Sequence, residues 1–291
     1  MTRWLVTGGS GMLGRELAEQ LLFGAPAPAK SRREVLAVGR DELDITDPAA
    51  LKSAVEGVDV VVNAAAWTDV DGAEGSEADA TAVNGTAVRH LASACADSGS
   101  KLLHLSTDYV FPGDATEPIP ESAPTGPVNA YGRGKLVGEQ AVLEALPDSG
   151  YVVRTAWLYG KYGKNFVATI LNAARDRDFL DVVDDQRGQP TWTRALARQL
   201  IGLGEAALSG DAPAGAYHGT CSGETTWYGL ARAAFELSGL DPDRVRPTTS
   251  DRFPRPAPRP SYSVLGHERW AAAGLEPMPD WHEALSGFLD R

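Results

Sequence analysis

The opening residues carry the strongest constraint on the fold. MTRWLVTGGSGMLG runs a short apolar segment into Gly8, Gly9, Gly11 and Gly14, and a helical pattern opens at about Met12. The spacing satisfies G-x-G-x-x-G through Gly9, Gly11 and Gly14, and G-x-x-G-x-x-G through Gly8, Gly11 and Gly14. Glycines in that frame allow a tight turn, close approach of a diphosphate to the backbone, and close helix–strand packing. The helix N-terminus then offers oriented N–H donors and the positive end of its dipole. A glycine motif alone says little; directly after a strand and before a helix, it predicts a dinucleotide-binding unit.

The rest of the first half repeats the same alternation. EVLAVG, VDVVVNAAA, KLLHLS and YVVRTAW are apolar runs without polar alternation. Between them lie helical patterns over 48–55, over 77–96 with Val83, Ala87, Leu91 and Ala94 on one face, and after Tyr131. Strands lacking a polar face are covered on both sides. The expected class is α/β, a doubly wound parallel sheet (Rossmann) with a smaller C-terminal substrate-binding lobe. We expect the dinucleotide-binding domain over 1–160, and 161–291 to be mainly the lobe, interwoven with the core. Residues 108–129 and 252–265 are long, Pro-rich and irregular, and connections of that length usually serve function.

Composition excludes several classes. A formal net charge of -12 over 291 residues argues against nucleic acid or an anionic membrane as partner. No apolar run approaches the ~18 residues of a membrane span, and the N-terminal run is too short for a signal peptide. Two distant cysteines, Cys95 and Cys221, suit a reducing compartment, so the expected location is cytoplasmic. The scattered histidines suggest no metal site. Monomer and homodimer both remain open.

Candidate site residues follow from the strand ends. EVLAVG ends at Gly39, and Arg40 follows, with Asp41, Glu42 and Asp44 close behind. A cation there suits the 2′-phosphate of NADPH, whereas a carboxylate suits the ribose of NADH. Arg40 tilts the choice to NADPH; NADH stays open, and Arg40 also reads as a solvated loop charge. NAAAWTD, 63–69, closes a strand with small residues that let a ring or ribose approach the backbone. KLLHLSTD ends a strand at Thr107, and YGRGK places Tyr131 and Lys135 four apart on one helix face. A phenol, an ammonium and a strand-end hydroxyl suit carbonyl reduction. Lys135 would lower the phenol's pKa and hold ribose hydroxyls, Tyr131 would give a proton, and Thr107 would hold the carbonyl oxygen.

At this point the chain resembles the dTDP-4-dehydrorhamnose reductase family of extended short-chain dehydrogenases/reductases. The blocks that carry the resemblance are GGSGMLG, ELDITDP, NAAAWTDVDGAE, AVNGTAV, HLSTDYVFPG, YGRGKLVGE, VVRTAWLYG, NFV, VVDDQRGQPT and RPSYSVL. The resemblance implies NADPH-dependent reduction of the 4-keto group of a dTDP-4-keto-6-deoxy sugar, with Thr107, Tyr131 and Lys135 catalytic. It implies a cofactor lined by Gly8, Gly11, Met12, Leu13, Gly14, Arg40, Asp44, Ile45, Ala64, Ala65, Ala66, Thr68, Tyr131 and Lys135. It implies a sugar nucleotide near Val70, Thr107, Asp108, Trp157, Asn165, Gln186 and Arg259. Gly134 stands where the family more often has a small hydroxyl residue, which puts the rigidity of that helix in question.

Three alternatives stand beside this reading. An epimerase or 4,6-dehydratase shares the scaffold, but Tyr109 follows Asp108 where dehydratases carry a second carboxylate. A reductase of a related keto sugar in secondary metabolism, such as a dihydrostreptose synthase, fits nearly as well. A non-catalytic NADP-binding regulatory subunit would not need the proton donor that Tyr131 supplies.

Overall fold

A computed structural model describes residues 1–24 and 33–290. Its centre is a six-stranded sheet of β1 (Thr2–Thr7), β2 (Arg33–Val38), β3 (Val60–Asn63), β4 (Lys101–Thr107), β5 (Gly150–Thr155) and β6 (Gly215–His218). All pairs are parallel, in the order β6-β5-β4-β3-β1-β2. The order reverses beside β1, and ligands of such sheets bind outside the carboxyl ends of the strands at that reversal. The sheet is α/β and doubly wound, as the apolar runs required.

The unalternating strands have their explanation in the core. Trp4 and Val6 pack on one face with Leu103, Tyr151, Leu196 and Leu200. Leu5 faces the other side with Val61, Leu91, Leu102 and Val152. Both faces are dry, so successive residues of one strand must all be apolar. Helix α1 (Met12–Phe23) and the later α4 (Thr193–Ser209) cover the first face, with Leu17 and Leu203 fully buried. Helices α2 (Ala87–Ser98) and α3 (Ala130–Ala145) cover the second.

The C-terminal part is woven into this layer. β6 and α4 belong to residues after 160, yet they complete the sheet and its core. GAYH was too short for its apolar content to read as a strand. The lobe itself is built from small pieces. Leu180–Val183 pairs with Val245–Thr248, and Arg187–Gly188 pairs with Thr225–Thr226. Residues 253–260 form no regular element.

The expected helix over 77–96 is broken in character. An α-helical turn, Glu77–Thr81, passes into a π-helical turn, Ala82–Thr86, before α2. The π turn directs Asn84 to the Trp67 backbone, where its amide accepts from the nitrogen at 2.9 Å and donates to the oxygen at 3.0 Å. Such single π turns recur at functional sites. Here it ties the helix layer to the strand end beside the site.

Behind α3 lies a buried ion pair. Arg154 of β5 donates to Glu139 of α3 at 2.8 Å, with side chains 6% and 2% exposed. Removing one partner leaves an uncompensated charge in a dry interior, which costs about 3–5 kcal/mol. Glu139→Ala should therefore lower the unfolding free energy by about that amount in urea titrations. A loss below ~1 kcal/mol would mean that the pair is solvated.

Candidate active site

The glycine turn between β1 and α1 is a backbone cradle. Gly8 has φ 69°, in the left-handed region, and a Cβ there would stand 2.7 Å from the Ala65 nitrogen. Gly14 passes under the Gly8 carbonyl, where no side chain fits. Helix α1 begins after Gly11 without a side-chain cap. Its first N–H groups are thereby left for a ligand, whereas Asn129 satisfies the corresponding group of α3 by accepting from Gly132 N at 2.8 Å.

A cavity of about 610 Å³ opens at this turn and runs along the carboxyl ends of β1, β3, β4 and β5. Every residue proposed from sequence for the cofactor lines it: the turn residues, Arg40, Asp44, Ile45, Ala64, Ala65, Ala66, Thr68, Tyr131 and Lys135. Sequence reading missed Ser10, Thr46, Ser106, Thr155 and Lys164, which also line it, as does Trp67 of the 63–69 stretch. Ser106 and Thr155 have buried hydroxyls without a protein partner, so both are available to a ligand. Only their positions at strand ends could have signalled them.

Two of the three acidic neighbours of Arg40, Glu42 and Asp44, are occupied. Asp44 accepts from the Thr46 nitrogen at 2.9 Å and its hydroxyl at 2.7 Å, and these bonds hold its carboxyl below the usual range. Glu42 accepts from Gly39 N at 2.8 Å. Arg40 is exposed and has no ion pair among the described residues.

Tyr131 and Lys135 line this cavity, and Thr107 lies within hydrogen-bonding reach of Tyr131. The glycines of YGRGK permit this. A Cβ on Gly132 would be driven into the Tyr109 carbonyl, so the first turn of α3 lies directly on the turn after β4. Gly134 has room for little more, with Thr81 Oγ1 3.3 Å from a would-be Cβ, and the helix runs unbroken through it. Tyr131 stands edge-on to Tyr109 at 6.0 Å.

The electrostatics of the trio differ from expectation in one respect. Lys135 Nζ donates to the Leu105 carbonyl at 2.6 Å and lies 3.4 Å from His104 Nε2, rather than bonding the phenol. Burial, and then the Asp108 carboxyl, push the Tyr131 phenol above its ordinary value, while Thr107 pulls it down. Lys135 therefore does not lower the phenol's pKa in this arrangement; the ring stands protonated. Burial brings Lys135 down to about 8, with Glu139 opposing.

The residues expected at the sugar nucleotide divide. Thr107 donates to Asp108 Oδ1 at 3.0 Å, and burial pushes the Asp108 carboxyl up to about 6 against Ser263 and Thr107. Arg259 Nη2 pairs with Asp71 at 3.1 Å, and its guanidinium lies 5.9 Å from the Tyr109 ring centre. Val70 starts the short helix that carries Asp71. Trp157, at φ 47°, stacks on Trp227 at 3.6 Å, and Trp227 Nε1 donates to Gln186 at 3.2 Å. A left-handed tryptophan is a strained backbone held by its surroundings. Asn165 is different: its amide accepts from Ala168 N at 2.9 Å and donates to Gly160 O at 3.0 Å, so both ends serve the backbone. Asp71, Tyr109 and Trp227 were not singled out from sequence, because only the fold brings them beside Arg259, Tyr131 and Trp157.

Comparison with known proteins agrees with this architecture. The family model described as RmlD substrate binding domain matches residues 2–291. A dTDP-4-dehydrorhamnose reductase of Streptomyces griseus is 58% identical over 98% of this chain and 92% of its own length. A dTDP-4-keto-6-deoxy-D-glucose reductase of Streptomyces niveus is 50% identical over 98% and 95%. The structure of a dTDP-4-dehydrorhamnose reductase from Bacillus anthracis in complex with NADP superposes with a TM-score of 0.89 at 34% identity, covering 100% of this chain and 99% of that one. With a glycine cradle, Tyr131 and Lys135 in one cavity and Thr107 beside Tyr131, the chain belongs to the dTDP-4-dehydrorhamnose reductase family of extended short-chain dehydrogenases/reductases.

Proposed function

We propose that this protein reduces the 4-keto group of dTDP-4-dehydro-L-rhamnose to give dTDP-L-rhamnose, with NADPH as reductant. The observation that carries the reading is a single cavity whose walls hold both the glycine cradle and the Tyr131–Lys135 face. The cradle, the uncapped start of α1 and the unpartnered hydroxyls of Ser106 and Thr155 fit a dinucleotide. Arg40, free beside an occupied Asp44, fits the 2′-phosphate, and the NADP complex of the Bacillus anthracis relative supports the same choice.

Bound there, NADPH supplies a hydride to the carbonyl carbon. Tyr131, held protonated by burial, gives the phenolic proton to the carbonyl oxygen as that oxygen becomes an alkoxide. Thr107 turns its one O–H from Asp108 to the same oxygen and keeps it within reach of the phenol. Lys135, as an ammonium held by the Leu105 carbonyl, donates to ribose hydroxyls and so seats the nicotinamide end of the cofactor. Arg259 meets the diphosphate, and the Trp157–Trp227 pair with Gln186 borders the sugar nucleotide. Val70 and Asp108 lie beside these groups, whereas Asn165 supports them by capping. The buried, unpaired thiols of Cys95 and Cys221 fit work in the cytoplasm. Among the described residues no helix is long and apolar enough to cross a membrane.

A second reading has its own support. The Streptomyces niveus relative is named for a dTDP-4-keto-6-deoxy-D-glucose substrate at 50% identity, so a related keto sugar is the nearest competitor. Anaerobic turnover of both dTDP-keto sugars with NADPH and with NADH, followed by NMR of the product, separates the two. NADPH oxidation with the second sugar and none with the first would overturn the rhamnose assignment and leave the reductase class.

Two substitutions test the roles. Tyr131→Phe should reduce kcat by about 10²- to 10⁴-fold, the usual worth of a general acid, while NADPH affinity by fluorescence titration stays within a few-fold. Wild-type turnover in that variant would remove the mechanism. Arg40→Ala should cut the preference for NADPH over NADH about ten-fold or more, because a charge-assisted hydrogen bond is worth ~1.5–3 kcal/mol. Equal changes for both cofactors would make Arg40 a surface charge only.

A further inference from the structure

A file of buried polar groups lies behind the site, and the reduction described above makes no use of it. Thr7, Asn63 and His104 occupy matching positions on the neighbouring parallel strands β1, β3 and β4. Thr7 Oγ1 is 2.6 Å from Asn63 Oδ1, Asn63 Nδ2 is 3.0 Å from His104 Nδ1, and His104 Nε2 is 3.4 Å from Lys135 Nζ. Thr7, Asn63 and His104 are fully buried. Gly138 leaves room for the ring, since a Cβ there would stand 3.2 Å from Nε2.

A neutral imidazole has one donor and one acceptor nitrogen. Burial, and then the Lys135 charge, keep His104 well below the usual histidine range, so its ring does not take a second proton. Only two arrangements then satisfy every member. In one, all donors run toward the lysine: Thr7 hydroxyl to Asn63 oxygen, Asn63 amide to Nδ1, and Nε2–H to the lone pair of an amine. In the other, the Lys135 ammonium donates to Nε2, Nδ1–H donates to the Asn63 oxygen, and the turned amide donates to Thr7. Any mixture sets two donors against each other where no water can intervene, and such buried mismatches are costly.

We propose that His104 is a positioning residue for the reduction: backed by Asn63 and Thr7, it sets whether Lys135 stands in the site as ammonium or amine. The catalytic consequence rests on the role given to Lys135 above, but the geometry does not. Few other groups compete. Glu139, one turn along α3, favours the ammonium and is itself tied to Arg154 of β5. Tyr131 lies one turn earlier and Asp108 follows β4. The helix packed against α3 presents the neutral Thr81 and Asn84 at Gly134 and Gly138. Among the described residues, His104 is the one side chain in hydrogen-bonding reach of Nζ, beside the Leu105 carbonyl.

The sign of the pH effect follows. Lys135 acts as an ammonium, so kcat/KM should fall as pH rises through its pKa, which burial brings to about 8. His104→Leu removes an acceptor from an ammonium with three N–H groups to satisfy, so the basic limb should move down by about one pH unit or more. Asn63→Asp presents a carboxylate that takes Nδ1–H and leaves Nε2 bare for the ammonium, so the limb should move up. Opposite shifts are not expected from lost packing. Limbs that coincide with wild type, or move the same way, would overturn the proposal.

A second measurement does not need turnover. In ¹⁵N-histidine-labelled protein, His104 is identified among the five histidines by the signal lost in His104→Gln. Its Nδ1 should carry the proton at about pH 6 and its Nε2 at about pH 10, and Lys135→Met should abolish the exchange. A single tautomer throughout overturns the proposal whether or not the protein reduces the keto sugar. Absent turnover in the wild type would count against the reductase reading and leave the tautomer to decide this one.

Discussion

Helix α3 lies closer to its neighbours than a helix with ordinary side chains could. Gly132 presses on the Tyr109 carbonyl and Gly138 on the Asn84 carbonyl, and a methyl group at either position would collide with backbone. Gly in a helix interior costs about 1 kcal/mol relative to Ala. The return on that cost is geometric. With α3 seated against β4, Tyr131 reaches the strand-end Thr107, and Lys135 reaches His104 and the Leu105 carbonyl. The opposing π-helical turn belongs to the same contact, since it carries Asn84 both to α3 and to the Trp67 backbone.

Charge is used sparingly inside an acidic protein. Arg154 is buried only because Glu139 meets it with several hydrogen bonds. Lys135 has no carboxylate in contact, and its ammonium is weakened by burial. That difference separates a structural charge from a reactive one: the first is matched by an opposite charge, the second is left adjustable. Asp108 follows the second pattern, with one oxygen lacking a partner and its carboxyl raised to about 6. Arg259 lies between the two, paired with Asp71 yet resting at the face of Tyr109.

The strained Trp157 extends this logic to the lobe. Its left-handed backbone is held by the stack on Trp227 and by the space over Gly188, where a Cβ would meet the indole at 2.7 Å. Strain of this kind costs of order 1–3 kcal/mol and persists where surroundings over-determine it. Residues from 157, 186–188 and 227 converge at this point, so the lobe is pinned to the sheet at the same edge that carries the trio.

Much of this was legible in the chain itself. The unalternating runs determined a sheet covered on both faces, because no polar position could face water in Leu5, Val61 or Leu102. The glycine frame determined the cradle, because only residues without Cβ pass at Gly8 and Gly14. The four-residue spacing of Tyr131 and Lys135 determined a shared helix face. All three are local: covalent geometry and short-range sterics decide them. What only the tertiary structure decided is which distant groups meet. Lys135 turned toward His104 rather than the phenol, Asn165 became a cap, β6 came from the C-terminal part, and Trp227, Tyr109 and Asp71 joined the site. Those outcomes depend on packing distances and burial between segments far apart in sequence, and no local pattern encodes a contact whose partner is fixed only when the whole layer closes.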